Sequence, residues 1–139
     1  MANKINTALT GGIHHVGLTV SNLQETKIFF LETLGFKQVG EVPEYPAAFV
    51  SDGNIMITLW QAEAPDNVTA FDRKNVIGLH HLALSVADPA TLDAVAEKLQ
   101  DTKGVSIEFP PQPLGNVGTR HMMCNIPGGI RVEFIAPGA

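Results

Sequence analysis

A nine-residue segment occurs twice, and it constrains the fold more than any other feature of the chain. Gly12-Ile13-His14-His15-Val16-Gly17-Leu18-Thr19-Val20 returns as Gly78-Leu79-His80-His81-Leu82-Ala83-Leu84-Ser85-Val86, at an offset of 66 without a gap and with five identities in nine positions. A repeat on this scale means two copies of one supersecondary unit, neither of which buries its apolar face alone. The 139 residues have room for one such pair in a single domain.

Each copy reads as a strand followed by a helix. In the first, His14, Val16, Leu18 and Val20 share one face, and His15, Gly17 and Thr19 share the other. In the second, His80, Leu82, Leu84 and Val86 oppose His81, Ala83 and Ser85. The first histidine of each pair is therefore expected on the greasy, helix-covered face, packing beside the helix. The second is expected on the small, polar face. Ser21-Asn22-Leu23-Gln24 has the pattern of a capping box with Ser21 as the cap. That helix should run to about Leu34 and stop at Gly35. Asp88 should cap the second helix, with Pro89 at its first position and Leu92, Val95, Ala96 and Leu99 at helical spacing.

Three short strands should complete each unit. They are roughly Phe36–Val42, Ala47–Ser51 and Ile55–Gln61, turning at Asp52-Gly53, and Val105–Phe109, Thr119–Asn125 and Ile130–Ala136, turning at Pro127-Gly128-Gly129. The expected class is α+β: one domain, 1–139, made of two βαβββ modules at 12–64 and 76–137. Asn67–Asn75 reads as a polar connector and Phe109–Gly118 as an irregular loop. Matching Asp52-Gly53 to Pro127-Gly128 gives an offset of 75 and sets Thr58 against Glu133. His15, Thr58, His81 and Glu133 then occupy four equivalent positions facing away from the helices.

Two imidazoles and one carboxylate with open positions suit a divalent transition metal, with Zn, Ni, Fe, Mn and Co all compatible. A closed structural zinc site would want four protein ligands, commonly cysteines, and this chain has one cysteine, Cys124, on the greasy parity of its strand. His121 has the parity of an inward residue and could move a proton near neutral pH. Met56, Thr58, Trp60 and Met123 read as lining of a substrate pocket.

Composition narrows the partners. Lysine plus arginine is 9 and aspartate plus glutamate is 14, so the net charge is 9 − 14 = −5. An acidic chain without a basic stripe argues against nucleic acid. No apolar run approaches the ~18–20 residues that span a bilayer, and Met1–Gly12 lacks the apolar stretch of a signal peptide. A cytoplasmic protein acting on a small molecule is expected, and the lone cysteine fits a reducing compartment.

The two βαβββ units, His15-x-x-Leu18-x-Val20, its echo His81-x-x-Leu84-x-Val86, and Pro127-Gly128-Gly129-x-x-x-Glu133 resemble the vicinal oxygen chelate superfamily. That superfamily includes glyoxalase I, extradiol dioxygenases, fosfomycin-modifying enzymes, methylmalonyl-CoA epimerase and bleomycin resistance proteins. The resemblance implies mixed sheets curled into an open cup around one divalent metal, with His15, His81 and Glu133 as ligands. It implies a substrate chelated through adjacent oxygens, Glu133 as a catalytic base able to leave the metal, and a homodimer, with the cup formed either within one chain or between modules of two. His121, by its strand parity, is the second catalytic candidate. Glyoxalase I carries a carboxylate where this chain has Thr58. Extradiol and fosfomycin enzymes tend to carry a tyrosine where it has Met123. The readings that follow are a glyoxalase-like lyase or isomerase, an Fe(II) extradiol-type dioxygenase, or a non-catalytic protein that binds a small molecule such as an antibiotic.

Overall fold

A computed structural model describes residues 7–138. It contains β1 (His15–Val20), α1 (Leu23–Ile28), β2 (Lys37–Val42), β3 (Ala47–Ser51), β4 (Met56–Gln61), β5 (Leu82–Ser85), α2 (Pro89–Gln100), β6 (Ser106–Pro113), β7 (Arg120–Ile126) and β8 (Ile130–Ala136). The segment Met1–Asn6, within the stretch read against a signal peptide, lies outside the described residues. Among the described residues, no helix is long and apolar enough to cross a membrane.

The class is α+β. Two open four-stranded mixed sheets run in the orders β1-β4-β3-β2 and β5-β8-β7-β6. In each, the first strand lies parallel to the last and the other pairs are antiparallel. The internal repeat is thus one topology built twice, and the registers correspond. Gly17 sits beside Thr58, and Ala83 beside Glu133.

Three local expectations change. Asn22, not Ser21, caps α1, because its Oδ1 accepts from the Glu25 amide at 3.0 Å. The helix then widens into a π-helical turn at Phe29–Thr33, where the Leu34 amide bonds the Phe29 carbonyl, before Gly35 turns with φ +79°. Within that turn the successive residues Phe29 and Phe30 are both buried. The third change is at β6, which runs on to Pro113 through two register shifts instead of dissolving at Phe109. Bulges absorb the prolines that argued for a loop. The second helix is capped as expected, with Asp88 Oδ1 accepting from the Thr91 amide at 2.8 Å.

The helix-covered faces of both sheets share one apolar core. Leu18, Val20, Phe30, Ile57 and Leu59 meet Leu92, Leu99, Met122, Val132 and Phe134 in it, and all are nearly or fully buried. Each such side chain contributes about 1.5–3 kcal/mol by leaving water. Polar contacts pin the joint between modules. The Ser21 amide donates to the Gly128 carbonyl, buried Thr26 donates its hydroxyl to Pro127, and Lys98 Nζ donates to Thr33. Gly128 has φ +100°, and a Cβ there would run into Thr26 Oγ1 and Val20. Gly128→Ala should therefore cost about 3 kcal/mol through backbone strain and overpacking, read as a lower urea midpoint at unchanged slope.

Candidate active site

Parity within β7 and β8 sets the second module's face opposite the shared core. His121 and Met123 on β7 and Arg131, Glu133 and Ile135 on β8 alternate with the core residues Met122, Cys124, Val132 and Phe134. Register places Met123 beside Glu133 and His121 beside Ile135. Glu133 is only 7% exposed, and each of its oxygens meets an imidazole. His81 Nε2 lies 3.1 Å from Oε1, and His121 Nδ1 lies 2.6 Å from Oε2. The sequence-expected residues His81, Glu133 and His121 therefore form one cluster. The His121 ring is further held against Phe109, with centroids 4.9 Å apart.

The first module's face is of another kind. Trp60 donates its indole N–H to Thr58 Oγ1 at 2.8 Å, and Tyr45 and Phe49 pack against the indole. Gly17 leaves the room this requires, since a Cβ there would sit 3.1 Å from Thr58 Oγ1. Met56 is half-buried on the same strand. Of the four residues expected to line a pocket, three thus lie on the first sheet and Met123 on the second. His15 opens β1, is exposed, and touches His14. Among the described residues, no three His, Cys, Asp or Glu side chains are arranged to hold one metal ion. His15 is the member of the expected triad that stands apart.

The reading of His14 and His80 as core-facing packing residues is overturned. Both are exposed, and each turns back onto its neighbour: the Nδ1 atoms of His14 and His15 are 2.9 Å apart, and those of His80 and His81 are 2.8 Å apart. The parity argument fails because the regular strands begin only at His15 and Leu82. Outside a strand, adjacent residues need not point to opposite faces.

Arg131 and Glu108 were not singled out from the sequence. Arg131 is 5% exposed and donates from Nε and Nη2 to the two carboxylate oxygens of Glu108, at 2.9 and 2.8 Å. That fork holds the Glu108 carboxyl below the usual carboxylate range. Its Nη1 lies 3.5 Å from His80 Nδ1. Desolvation, followed by the charges of His81, Arg131 and Arg73, lowers the pKa of His80. An arginine two residues before Glu133 on the same strand face was the available signal. Cys124 is buried as expected, and burial pushes its thiol up to about 12.

A family model described as Glyoxalase/Bleomycin resistance protein/Dioxygenase superfamily matches residues 12–134. Among curated proteins, a 2-epi-5-epi-valiolone epimerase from Actinomyces sp. is 28% identical over 145 residues, covering 88% of this chain and 78% of its own length. A catechol-2,3-dioxygenase from Bacillus subtilis is 35% identical over 101 residues, covering 69% of this chain, which spans only 33% of that protein. Among solved structures, a glyoxylase/bleomycin resistance protein/dioxygenase domain from Frankia sp. superposes with TM-score 0.79 at 25% identity, covering 94% of this chain and 93% of that one.

Proposed function

The chain belongs to the Glyoxalase/Bleomycin resistance protein/Dioxygenase superfamily, and within it we propose a metal-dependent lyase or isomerase acting on a small oxygen-chelating metabolite. The observation that carries this reading is the buried Glu133 carboxylate with an imidazole on each oxygen. Two ligands at ~2.1 Å from one ion and near right angles stand about 3 Å apart. The 3.1 Å between His81 Nε2 and Glu133 Oε1 fits that. The nitrogen and carboxylate donors suit Zn, Ni, Fe, Mn or Co.

His81 and Glu133 would hold the ion from one module, and His15 would complete the set. The shared core uses the helix-covered faces of both sheets, which leaves the two site faces without each other. Two clefts within the chain, of about 570 and 830 Å³, are lined by other residues. We therefore place His15 of one chain against His81 and Glu133 of a second in a homodimer. The aromatic wall of Tyr45, Phe49 and Trp60 would then close over the ion from across the interface. Tyr45 is 61% exposed in the single chain.

When bound, a divalent ion supplies Lewis-acid polarisation of substrate oxygens. The residues do the rest. His121 donates Nδ1–H to Glu133, which fixes the ring and leaves Nε2 as a proton acceptor. Glu133 is the second carrier for a proton when its carboxylate is freed. Met123 and the aromatic wall exclude water around them. The epimerase relative supports proton-transfer chemistry. The dioxygenase relative supports a second reading, oxygen chemistry with Fe(II) at the same residues. The retained His81–Glu133–His121 cluster weighs against a protein that only binds its small molecule.

Elemental analysis of protein purified without chelator separates these. About one transition-metal ion per chain is expected, and Zn, Ni, Mn or Co without oxygen uptake favours the lyase or isomerase. Iron with oxygen uptake favours the dioxygenase. Protein that takes up no metal under any loading condition overturns both.

A further inference from the structure

We propose that His80 and Arg131 are positioning residues that fix the tautomer of His81, so that its Nε2 lone pair is presented beside Glu133. The inference rests on the reading of His81 as a metal ligand.

A guanidinium has only donors. Arg131 cannot turn away from its neighbours, because Glu108 grips it through two bonds, at 2.9 and 2.8 Å, and it is 5% exposed. Its remaining terminal nitrogen, Nη1, lies 3.5 Å from His80 Nδ1. That arrangement favours a lone pair on His80 Nδ1, with the proton of the neutral ring on Nε2. His80 Nδ1 is also 2.8 Å from His81 Nδ1. Two ring nitrogens this close need one proton between them. His80 has none to give there, so His81 Nδ1–H is the donor.

The neutral His81 ring then has a bare Nε2, 3.1 Å from Glu133 Oε1. That facing pair of acceptors is unfavourable in the metal-free chain and is relieved by a cation, so the bond from His81 Nδ1 to His80 has to hold the tautomer until one binds. The chain Glu108–Arg131–His80–His81 thus removes the competing state, in which His81 would donate Nε2–H to Glu133 and block an ion. Partners that set the tautomer of a ligating histidine are typically carboxylates or carbonyls. Here a second histidine does it, set in turn by an arginine.

The other module provides an internal control. His14 and His15 make the same contact, with Nδ1 atoms 2.9 Å apart. The position matched to Arg131 by the offset of 75 is Met56, which has no donor. Among the described residues, no guanidinium there selects which histidine gives the proton, so the device belongs to the second module.

Nitrogen-15 NMR of the histidine side chains in the metal-free wild-type protein tests this without any substrate. The expected spectrum shows His81 protonated at Nδ1 and His80 at Nε2. A wild-type His81 protonated at Nε2, or at both nitrogens under conditions where His80 is neutral, overturns the proposal. His80→Leu and Arg131→Met should shift His81 toward the Nε2–H form and weaken zinc binding by about 10–100-fold. His80→Asn keeps an acceptor near the Nδ1 position and should restore both to within about threefold of wild type. A folded His80→Leu protein with unchanged His81 tautomer also overturns it. If His81 has the expected tautomer in wild type but no metal binds, the metal reading fails and the tautomer lock stands.

Discussion

Glu133→Gln should leave a folded protein that no longer holds its metal ion tightly, with affinity down more than about 100-fold. Losing partners outside the ligand set already costs 10–100-fold, and this change removes a proposed ligand and its charge together. Glutamine has nearly the same volume, so Met123 and Ile135 beside it keep their packing. What is lost is the anionic oxygen pair that meets His81 at 3.1 Å and His121 at 2.6 Å. Wild-type protein with metal at 100 times its dissociation constant gains about 2.7 kcal/mol over the metal-free form. That is about 8 °C in Tm for a domain of this size, and a chelator should abolish it. Calorimetric metal titration and paired melting curves check both halves. A variant that binds metal like wild type would remove Glu133 from the ligand set.

Much of this was legible in the sequence because the repeat carries two kinds of information at once. The offset of 66 marks the first strands, and the offset of 75 sets Thr58 against Glu133. The registers Gly17 with Thr58 and Ala83 with Glu133 agree with that match. Strand parity put His121 on the same side as Glu133, and the two side chains meet.

Parity also produced the main error. It holds only inside a hydrogen-bonded ladder, and His14, His80 and His81 precede theirs. A second miss was Arg131, which alternation placed on the site face. Its weight comes from Glu108, two strands away in the same sheet and at a register shift of β6, a contact that no pattern of residue types reveals. The prolines of β6 suggested a loop, yet bulges let the strand continue past them. Local propensity yields to sheet geometry at such an edge.

The second large effect follows from the division of the site. His15 lies on one sheet and His81, Glu133 and His121 on the other, and the single chain spends the helix-covered faces of both sheets on its core. In a two-fold dimer each site would then draw His15 from one chain and Glu133 from its partner. His15→Ala and Glu133→Gln should each empty both sites of a homodimer. A mixed dimer of the two variants behaves differently, because both substitutions fall in one site and the other is fully wild type.

Mixing the two metal-site variants tests the account most directly. Equal amounts of His15→Ala and Glu133→Gln protein are unfolded together, refolded, and titrated with zinc by calorimetry. Random pairing makes half the dimers mixed, each with one intact site of two, so tight binding should return to about a quarter of the wild-type capacity. Each variant refolded alone should stay empty. Recovery to that level supports a metal site shared between chains. No recovery from a mixture shown to contain mixed dimers, with wild type still binding tightly, would contradict it.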